Sequence, residues 1–485
     1  MNRSRRTFVK LAAASTAIAG IGASSPLVHA RPTGSLGLEK LRVGVVGIRG
    51  RGKALINAVK VSDSAELVAL ADVDSKVLAS TEKENTALGR ETDFRKLLDR
   101  NDIDVIASAT PNHWHALLTI LALQSGKHVY IEKPISHNMF ESTAIVEASK
   151  KFEKLVQCGF QNRSDTGLME FFERLNKGEF GKVNYVHGSC HRGRKSIGKI
   201  NKPLQPPKHV DYSLWLGPAQ DLPIMRPHLH YDWHWDFNTG NGDVGNQGPH
   251  EWDMMNWAMG DPNQLPSSMI ASGNRFGWSD AGNTPNVMAC AGVLNEIPFT
   301  FEVMDLVPGG QPADGRGVGV VIETDQGKFV GGRGGGKFIY SDGKTLNFSR
   351  TVKRDGTVDH MQNFLECVLS DSPEKLRAGC EVAGRSSSMA HMANISYQLS
   401  IRSSADKVME KYGNSNRSKM LERLVESTDI YKNKHNVETM EGWKLGPQLQ
   451  YDNSKSEFTG SFAGLANQKM TRQYNGKFAI PNLAT

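Results

Sequence analysis

Short apolar runs alternate with helix-like segments along residues 41–160, and this alternation predicts a parallel sheet with helices on both faces. The apolar runs, which we predict to be strands, lie at 41–47, 66–72, 104–109, 128–131 and 155–160. The segments with helical composition and spacing lie at 53–61, 116–124 and 139–154. The first third of the chain is therefore predicted to form a doubly wound α/β domain.

Residues 161–405 carry a different pattern, in which strand-like runs follow one another with few helices between them. These runs lie at 183–188, 268–272, 287–293, 299–304 and 318–323. The tripeptide Asp325-Gln326-Gly327 predicts a turn, one helix begins at His360 and another covers 384–400. The pattern predicts a second α/β domain, and the polar residues beyond 412 predict an extension to it.

The first thirty residues have the pattern of an export signal. Arg5 and Arg6 lie within Ser4–Lys10, an apolar run extends from Leu11 to Val28, and Ala30 completes a small-residue cleavage site. This order predicts a twin-arginine signal over 1–30, removal of that signal, and a periplasmic protein that the export machinery for folded chains carries. An ordinary secretory signal or a retained membrane anchor is the alternative.

Composition excludes several classes of protein. The formal charge of +7 includes four positive charges in the first ten residues, and no block of Lys and Arg indicates binding to nucleic acid. The five cysteines are scattered and show no CxxC spacing, which argues against a disulfide scaffold and a zinc site. We therefore expect no metal ion and no nucleic-acid partner.

A glycine-rich turn follows the first predicted strand and precedes a helix, the setting in which a turn can hold a pyrophosphate. The turn contains Gly47, Arg49, Gly50, Arg51 and Gly52. Its glycines would let the backbone approach the phosphates, but Arg49 replaces the second glycine of the usual fingerprint. An ordinary tight turn is therefore the alternative.

Asp72 ends the second predicted strand, 20 residues beyond Gly52. An acid at this point binds the ribose hydroxyls of NAD and disfavours the 2′-phosphate of NADP. Arg49 and Arg51 could accommodate that phosphate, so NADP stays open. The alternative role of Asp72 is to cap the next helix, for which Asp74 is better placed.

Polar residues gather where the later strands of the first domain end, and ligands bind at the carboxyl ends of parallel strands. The residues that we predict to contact the cofactor there are Thr110, Pro111, Asn112, His113, His115, Glu132, Lys133 and Gln161. Together with the glycine turn and Asp72, they predict one dinucleotide site.

The glycine turn, Ala71-Asp72, Thr110–His115 and Glu132-Lys133-Pro134 occur in an order that resembles the glucose–fructose oxidoreductase, inositol dehydrogenase and MocA family, in an exported branch. The resemblance implies a Rossmann domain over 31–160 and a substrate-binding and oligomerisation domain over 161–411. It also implies a large, open-faced, mostly antiparallel sheet and a homo-oligomer, a dimer or a tetramer. The extension over 412–485 exceeds the family's usual end, and we expect it to wrap a neighbouring subunit or to be loosely ordered.

The resemblance also implies catalytic roles. Lys133 would take the proton of a sugar hydroxyl while hydride leaves the same carbon, and His250 would share or relay that proton. Asn246 stands where many members have Asp, which puts that relay in doubt because an amide cannot accept a proton. A satisfied structural histidine is the alternative for His250.

The residues that we expect to border the substrate lie in three stretches. They are Asn162, Arg163, Tyr231, Trp233, Trp235, Asp236, Asp243 and His250. The aromatic residues would form a platform for a sugar ring, with a hydrophobic plug under a loop as the alternative. A metal site at His228, His230 and His234 is conceivable but is not our prediction. Arg163 would hold a substrate group or pair with an acid between the domains.

These features predict a periplasmic oxidoreductase that acts on a sugar or polyol hydroxyl with tightly bound NAD, or with NADP as the alternative, restored within each cycle. One alternative function is an NAD-dependent glycosidase that works by transient oxidation at C3, elimination, hydration and re-reduction. Another is a ligand-binding protein without catalytic activity.

Overall fold

The computed structural model describes residues 40–81, 88–306, 317–413, 416–435 and 442–483. The predicted export signal at 1–30 lies outside these residues. The five cysteines are buried and have free thiols. Within the described part of the chain, no helix is both long and apolar enough to cross a membrane.

The first sheet has six strands, and all its neighbouring strands are parallel, in the order β3-β2-β1-β4-β5-β6. The strands are β1 Leu41–Val46, β2 Ala65–Ala71, β3 Gly89–Glu91, β4 Val105–Ser108, β5 His128–Ile131 and β6 Val156–Cys158. The helices between them are α1 Arg51–Lys60, α2 Ser75–Ala79, α3 Arg95–Leu98, α4 His115–Gln124 and α5 Met139–Phe152. The predicted Rossmann fold is confirmed.

Burial on both faces explains the uninterrupted apolar runs of these strands. Val43 and Val45 of β1 are fully buried and belong to one apolar cluster with Leu55 and Val59 of α1. Val46 belongs to a second cluster. A strand that is buried on both faces shows no alternation of apolar and polar residues, which is the pattern seen in the sequence.

The second domain begins with one helix and one strand, which a long connection separates from the rest of its sheet. These first elements are α6 Thr166–Asn176, β7 Val183–Cys190, α7 Tyr212–Leu216, α8 Gly242–Asn246 and α9 Pro249–Ala258. The strands that follow are β8 Ser268–Asn274, β9 Val287–Leu294, β10 Ile297–Met304, β11 Val318–Thr324, β12 Gly327–Gly332, β13 Gly335–Tyr340 and β14 Thr345–Ser349.

The chain then returns to helices and short strands. They are α10 Gly356–Ser370, α11 Cys380–Gln398, β15 Ile401–Arg402, α12 Ala405–Tyr412, α13 Asn416–Lys434, β16 Lys444–Leu445, β17 Leu449–Asp452, β18 Glu457–Thr459 and α14 Ala463–Gln468. The second sheet runs in the order β14-β13-β12-β11-β7-β10-β9-β8-β16-β15, and β17 joins β8. Among the described strands, β7 and β10 form its one parallel pair, so the predicted mostly antiparallel sheet is confirmed.

The two faces of the second sheet are covered differently. Phe301 of β10 lies in the main core, where its ring stacks on Trp252 of α9 at 4.1 Å between centroids. Met304 of the same strand faces the other way, into a cluster with Leu421 and Leu424 of α13. The extension therefore covers part of the face that the family resemblance assigns to oligomerisation, and the homo-oligomer stays a prediction.

The C-terminal extension folds onto its own chain. β16 pairs with β8, and beyond it Arg472 donates to the Pro218 carbonyl oxygen at 2.8 Å. The Tyr474 hydroxyl donates to Glu141 at 3.1 Å, and Phe478 packs edge-on against Trp114. The described residues of the extension thus join both domains of one chain, so the expected loose order is corrected.

Candidate functional site

The glycine turn lies at the carboxyl end of β1, beside the end of β4. Gly47 has φ +75°, and a Cβ there would lie 2.9 Å from the Ala109 carbonyl carbon. A Cβ at Gly52 would clash with the Gly47 carbonyl oxygen, whereas a Cβ at Gly50 would meet open space. Close packing fixes the turn at its two ends and leaves its middle open before α1, which fits a pyrophosphate at a helix N-terminus.

Asp72 follows β2 and braces this turn. One carboxylate oxygen accepts from the Ile48 amide at 3.0 Å, and the other accepts from the Asp74 amide at 3.0 Å. Burial raises the pKa of Asp72. The Asp74 side chain caps α2, as the sequence indicated. Asp72 is placed at the end of β2 where ribose hydroxyls would lie, and that role stays a prediction.

Lys133 follows β5 at the same edge of the sheet. Its ammonium donates to the backbone carbonyl oxygen of Asn246, so the two domains meet at this side chain. Burial lowers the pKa of Lys133, and the neighbouring Glu132 carboxylate opposes that shift. A lysine whose pKa lies below its ordinary value is suited to accept a proton near neutral pH.

Glu132 is held between two donors and is 4% exposed. Arg51 donates to it from Nε at 2.8 Å, and Gln161 donates from Nε2 at 2.9 Å. A second Arg51 nitrogen donates to Thr357 at 2.8 Å. Glu132, Arg51 and Gln161 therefore form a hydrogen-bonded cluster beside Lys133, whereas the sequence predicted a separate cofactor contact for each of them.

The predicted Thr110–His115 contacts are largely structural. His115 lies with its two ring nitrogens 2.5 Å from the Pro134 carbonyl oxygen and 2.8 Å from the Thr110 carbonyl oxygen. His113 lies between the carbonyl oxygens of Thr239 and Trp215, at 3.1 and 3.0 Å. Both rings are buried, and their nitrogens contact backbone carbonyl oxygens. They therefore hold the loops in position rather than present a free nitrogen to a cofactor.

Three other residues of this loop lie near the domain seam. Asn112 is buried and donates to the Asn241 side chain at 3.1 Å. Thr110 and Pro111 are partly exposed. Thr110 lies within 3.1 Å of the Ser108 hydroxyl, beside the glycine turn. The predicted cofactor roles of Thr110, Pro111 and Asn112 remain predictions.

His250 lies in the first turn of α9, and it is buried against the Phe160 ring. Its Nδ1 has no hydrogen-bond partner among the described residues. Burial lowers the pKa of His250 well below its ordinary value, and Lys133 adds to that shift. The ring is therefore neutral. Asn246 reaches Lys133 through its backbone oxygen, a contact that does not depend on its side chain.

Glu251 was not among the site residues predicted from the sequence. It follows His250, is 2% exposed, and its Oε2 has no hydrogen-bond partner in the described ranges. Burial raises the pKa of Glu251 to about 8. An acidic residue beside the predicted histidine was the available signal, but a glutamate early in a helix usually indicates an exposed first turn.

Asp243 lies in α8, close to Lys133, and forms a buried pair with Arg194. The guanidinium donates to its two oxygens at 2.6 and 3.0 Å, and a further Arg194 nitrogen donates to the Tyr231 hydroxyl at 2.9 Å. Burial and the adjacent Asp243 carboxylate raise the pKa of Asp305 well above its ordinary value. Arg194 and Asp305 were not predicted, because they lie far from the recognised motifs in the chain.

The structure does not show the aromatic platform that the sequence predicted at Trp233 and Trp235. Trp235 is 2% exposed, and the Arg275 guanidinium lies 4.7 Å from its ring centroid. Trp233 is half-buried in a small apolar cluster, whereas Tyr231 is exposed. The prediction for Trp235 is corrected because its faces are packed in the core, which corresponds to the plug alternative.

The histidines of this stretch turn toward different partners. His230 Nε2 lies 3.1 Å from Asp74, and His234 Nδ1 lies 2.6 Å from the Tyr231 carbonyl oxygen. Asp236 accepts from the Asn283 side chain at 3.1 Å. Within the described residues, no group of three or more metal-ligand side chains is arranged to hold an ion.

Arg163 and Asn162 are buried in the seam between the domains. Arg163 donates to Asp253 at 2.7 Å and to both oxygens of Asp261 at 2.8 and 2.7 Å. Asn162 faces the Met254 sulfur at 3.5 Å. Of the two roles that the sequence left open for Arg163, the structure supports pairing with acids, and the expected contact with substrate is corrected because the guanidinium is occupied.

A connection from the second domain crosses the end of β2. The Asp211 amide donates to the Val73 carbonyl oxygen at 2.9 Å, and the Ser75 amide donates to the His209 carbonyl oxygen at 2.9 Å. His230 reaches Asp74 from the same connection. We call residues 207–230 the strap. It crosses the edge of the first sheet where the ribose next to adenine is expected.

Comparison with known proteins covers mainly the first domain. Residues 41–160 match the model of an oxidoreductase family with an NAD-binding Rossmann fold. The glycosyl hydrolase family 109 protein of Saccharopolyspora erythraea is 28% identical over 211 residues, which are 38% of this chain and 45% of that protein. The alpha-N-acetylgalactosaminidase of Shewanella oneidensis is 28% identical over 227 residues, 41% of this chain and 49% of that protein. The chain thus spans less than half the length of these relatives.

Solved structures match over both domains. The WlbA dehydrogenase from Bordetella pertussis, in complex with NADH and UDP-GlcNAcA, superposes with a TM-score of 0.51 at 20% identity, over 72% of this chain and 93% of that one. An oxidoreductase from Thermotoga maritima superposes with a TM-score of 0.56 at 16% identity, over 73% and 96%. At these identities the likeness concerns the fold.

Proposed function

Residues 41–160 belong to the glucose–fructose oxidoreductase, inositol dehydrogenase and MocA family, and from this premise we propose that the chain oxidises a hydroxyl of a sugar, glycoside or polyol by hydride transfer. The observation that carries the proposal is the position of Lys133. This lysine lies at the carboxyl edge of a Rossmann sheet, and burial lowers its pKa. Its charge in turn helps to lower the pKa of His250 in the second domain.

NAD, when bound, supplies the acceptor for the hydride. The glycine turn would hold its pyrophosphate and Asp72 its ribose hydroxyls. Lys133 in its neutral form would take the hydroxyl proton from the substrate. The neutral ring of His250, with Nδ1 free of partners among the described residues, would orient the same hydroxyl. The Asn246 carbonyl would hold the Lys133 side chain in place.

We also propose that the cofactor is held tightly and that the protein works in the periplasm. The strap supports the first point, because its contacts with Val73, Asp74 and Ser75 would have to open before adenosine could leave. The order of residues 4–30 supports the second. Outside the cytoplasm no pool of NAD is available, so retention and internal restoration of the cofactor belong to the same proposal.

The experiment is to purify the mature protein without added cofactor, denature it, and assay NAD, NADH, NADP and NADPH in the supernatant. We expect nearly one NAD or NADH per chain. His230→Ala should lose cofactor faster on gel filtration because it lacks the contact with Asp74, whereas His228→Ala, an exposed residue of the same strap, should not. A protein that is empty and also fails to bind added dinucleotide would contradict the proposal.

A second candidate function is a redox-neutral glycosidase, and the names of the relatives favour it. One relative is an alpha-N-acetylgalactosaminidase and another is a glycosyl hydrolase family 109 protein. The product distinguishes the two candidates. Release of phenol from an aryl glycoside without net change in cofactor absorbance supports hydrolysis, and a keto sugar, lactone or alditol supports oxidoreduction.

A further inference from the structure

Glu251 differs from three other buried glutamates, Glu132, Glu141 and Glu302, in what surrounds its carboxyl group. Glu302 has an Oε2 without a hydrogen bond among the described residues, but Arg423 lies 3.6 Å from that oxygen, and His187 and His191 lie beside Oε1. Glu141 accepts hydrogen bonds from the His137 amide, the Asn138 amide group and the Tyr474 hydroxyl. Glu132 accepts from Arg51 and Gln161. Glu251 has Oε2 without a partner among the described residues, although it is 2% exposed. A buried oxygen of this kind is costly unless a ligand completes it.

The position of Glu251 relates it to the proposed catalytic lysine. Lys133 and Glu251 influence each other's ionisation, and His250 is adjacent in the chain. Two buried polar atoms without hydrogen-bond partners among the described residues, His250 Nδ1 and Glu251 Oε2, therefore belong to consecutive residues at the start of α9, and both side chains are within electrostatic reach of Lys133. Because burial raises the pKa of Glu251 to about 8, the carboxyl group carries its proton at neutral pH and can donate it.

We infer that Glu251 is a second acid–base residue of this site, which donates a proton to a substrate oxygen other than the hydroxyl that Lys133 serves. The inference rests on the proposed function. Simple oxidation of a hydroxyl needs one proton acceptor, and Lys133 provides it. A buried acid near the buried base Lys133 is suited to a reaction with two proton transfers. Cleavage of a glycoside is such a reaction, because its leaving oxygen must also receive a proton, so we assign glycosides as the substrate class.

The proton balance is complete with residues of this chain. Once the C3 hydroxyl has become a carbonyl, His250 takes the C2 proton and its electron pair forms the C1–C2 double bond. The bond from C1 to the glycosidic oxygen breaks, and that oxygen takes the Glu251 proton and leaves as an alcohol. Water then adds its oxygen to C1 and gives a proton to the Glu251 carboxylate, while His250 returns its proton to C2. Return of the hydride to C3 and of the Lys133 proton to the C3 oxygen would restore the hydroxyl and close the cycle.

The test compares a poor and a good leaving group. We would assay methyl and 4-nitrophenyl glycosides of hexoses and N-acetylhexosamines with the full protein and its bound cofactor. If Glu251 protonates the leaving oxygen, Glu251→Gln should slow release of methanol by about 100-fold or more, because general acid catalysis contributes that much. It should slow release of nitrophenol far less, and reduction of bound NAD in a single turnover should persist.

Two further variants serve as controls. Glu251→Asp keeps an acid and should restore part of the methanol release. Glu141→Gln removes a buried carboxyl that is fully hydrogen-bonded between the two domains, so it should leave the ratio of methanol to nitrophenol release unchanged.

Infrared difference spectra between wild type and Glu251→Gln should contain the carbonyl stretch of a protonated carboxyl at pH 7, and this band should disappear as the pH rises past about 8.

Each outcome decides between the two claims. If the wild type reduces its bound cofactor with a sugar but releases no aglycone from any glycoside, the inference about Glu251 is wrong and the oxidoreductase proposal stands. Equal slowing on both leaving groups, or no carboxyl band, overturns the inference as well. If no sugar and no glycoside reduces the bound cofactor, the proposed function itself fails and the inference fails with it.

Discussion

The edge of the first sheet around Glu132 and the start of α9 around Glu251 each bury a glutamate, and the two carboxyl groups differ in charge. Burial alone would raise both pKa values, but Arg51 and Lys133 hold the pKa of Glu132 below its ordinary value. Glu251 has no such cation bonded to it, and its pKa rises to about 8. The partners of a buried acid, rather than its burial, decide whether it serves as an anion or as a proton donor.

Lys133 lies where these two regions meet, so its removal should have the largest effect. Lys133→Met should slow reduction of bound NAD by sugar about 1,000-fold, because a general base of this kind contributes roughly 10²–10⁴. The measurement is single-turnover absorbance of the reduced cofactor. Lys150→Met, at an exposed ion pair with Glu381, is the matched control. An unchanged rate in Lys133→Met would mean that Lys133 is not the general base, whereas no reduction in the wild type would indicate the non-catalytic alternative.

The pair of Arg163 and Asp253 shows how much a bonded cation contributes to stability at a buried carboxyl group. Arg163→Met leaves Asp253 buried without its cation, and loss of one partner from a buried pair costs about 3–5 kcal/mol. Urea unfolding of the first transition should measure this loss. The double variant Arg163→Met, Asp253→Leu should recover most of it. A single variant as stable as wild type would mean that these pairs do not stabilise the seam.

Glu251, a buried carboxyl group without a bonded cation, should make the free energy of unfolding depend on pH. The ordinary pKa of a glutamate is 4.5, and that of Glu251 in the folded protein is about 8, so between these values the folded protein binds a proton that the unfolded chain releases. This contribution to stability is complete below pH 4.5 and is lost as the pH rises toward 8, at up to about 1.4 kcal/mol per pH unit. Glu251→Met should therefore flatten the dependence of unfolding free energy on pH, measured in urea.

The exposed residue Glu170 supplies the control for that measurement. Glu170→Met changes the same functional group on the outer surface of α6, where the side chain is 56% exposed. Its slope of unfolding free energy against pH should match that of wild type. A Glu251→Met slope equal to the wild-type slope would mean that the carboxyl ionises normally in the folded protein.

The smallest effect on stability should come from residues 472–478 of the C-terminal extension, which we call the tail. Tyr474→Phe removes a hydroxyl that donates to Glu141, a buried acid that is fully bonded. A single hydrogen bond of this type contributes about 1–2 kcal/mol. Thermal unfolding should detect the loss, and cofactor content should be unchanged. No loss of stability would show that the remaining donors satisfy Glu141.

The sequence was sufficient for the first domain because its signals are local. Buried runs such as Val43–Val46 end at polar residues, and in a parallel sheet those ends meet at one edge. The glycine turn, Asp72 and Lys133 could therefore be placed together from the sequence alone. In the second domain, strand patterns indicated the sheet, but the order of its strands and the cover over its outer face depend on contacts between distant residues.

The parts that were missed lack periodic signals. Almost every residue of α9 is buried, so its sequence has no polar face against which Glu251 would stand out. Arg194 and Asp305 meet Asp243 across the fold, which spacing along the chain does not reveal. The tail is polar overall and depends on a few apolar anchors such as Phe478, which composition averages away.

The contacts of the tail have a consequence for the order in which the protein acquires its structure. Arg472 and Tyr474 reach His137 and Glu141, residues more than 330 positions earlier, and Phe478 closes over Trp114. The nucleotide domain therefore leaves the ribosome with part of its surface uncovered, because the residues that cover it are synthesised more than 330 positions later. Its surface is therefore completed by a distant segment of the chain rather than by the domain itself.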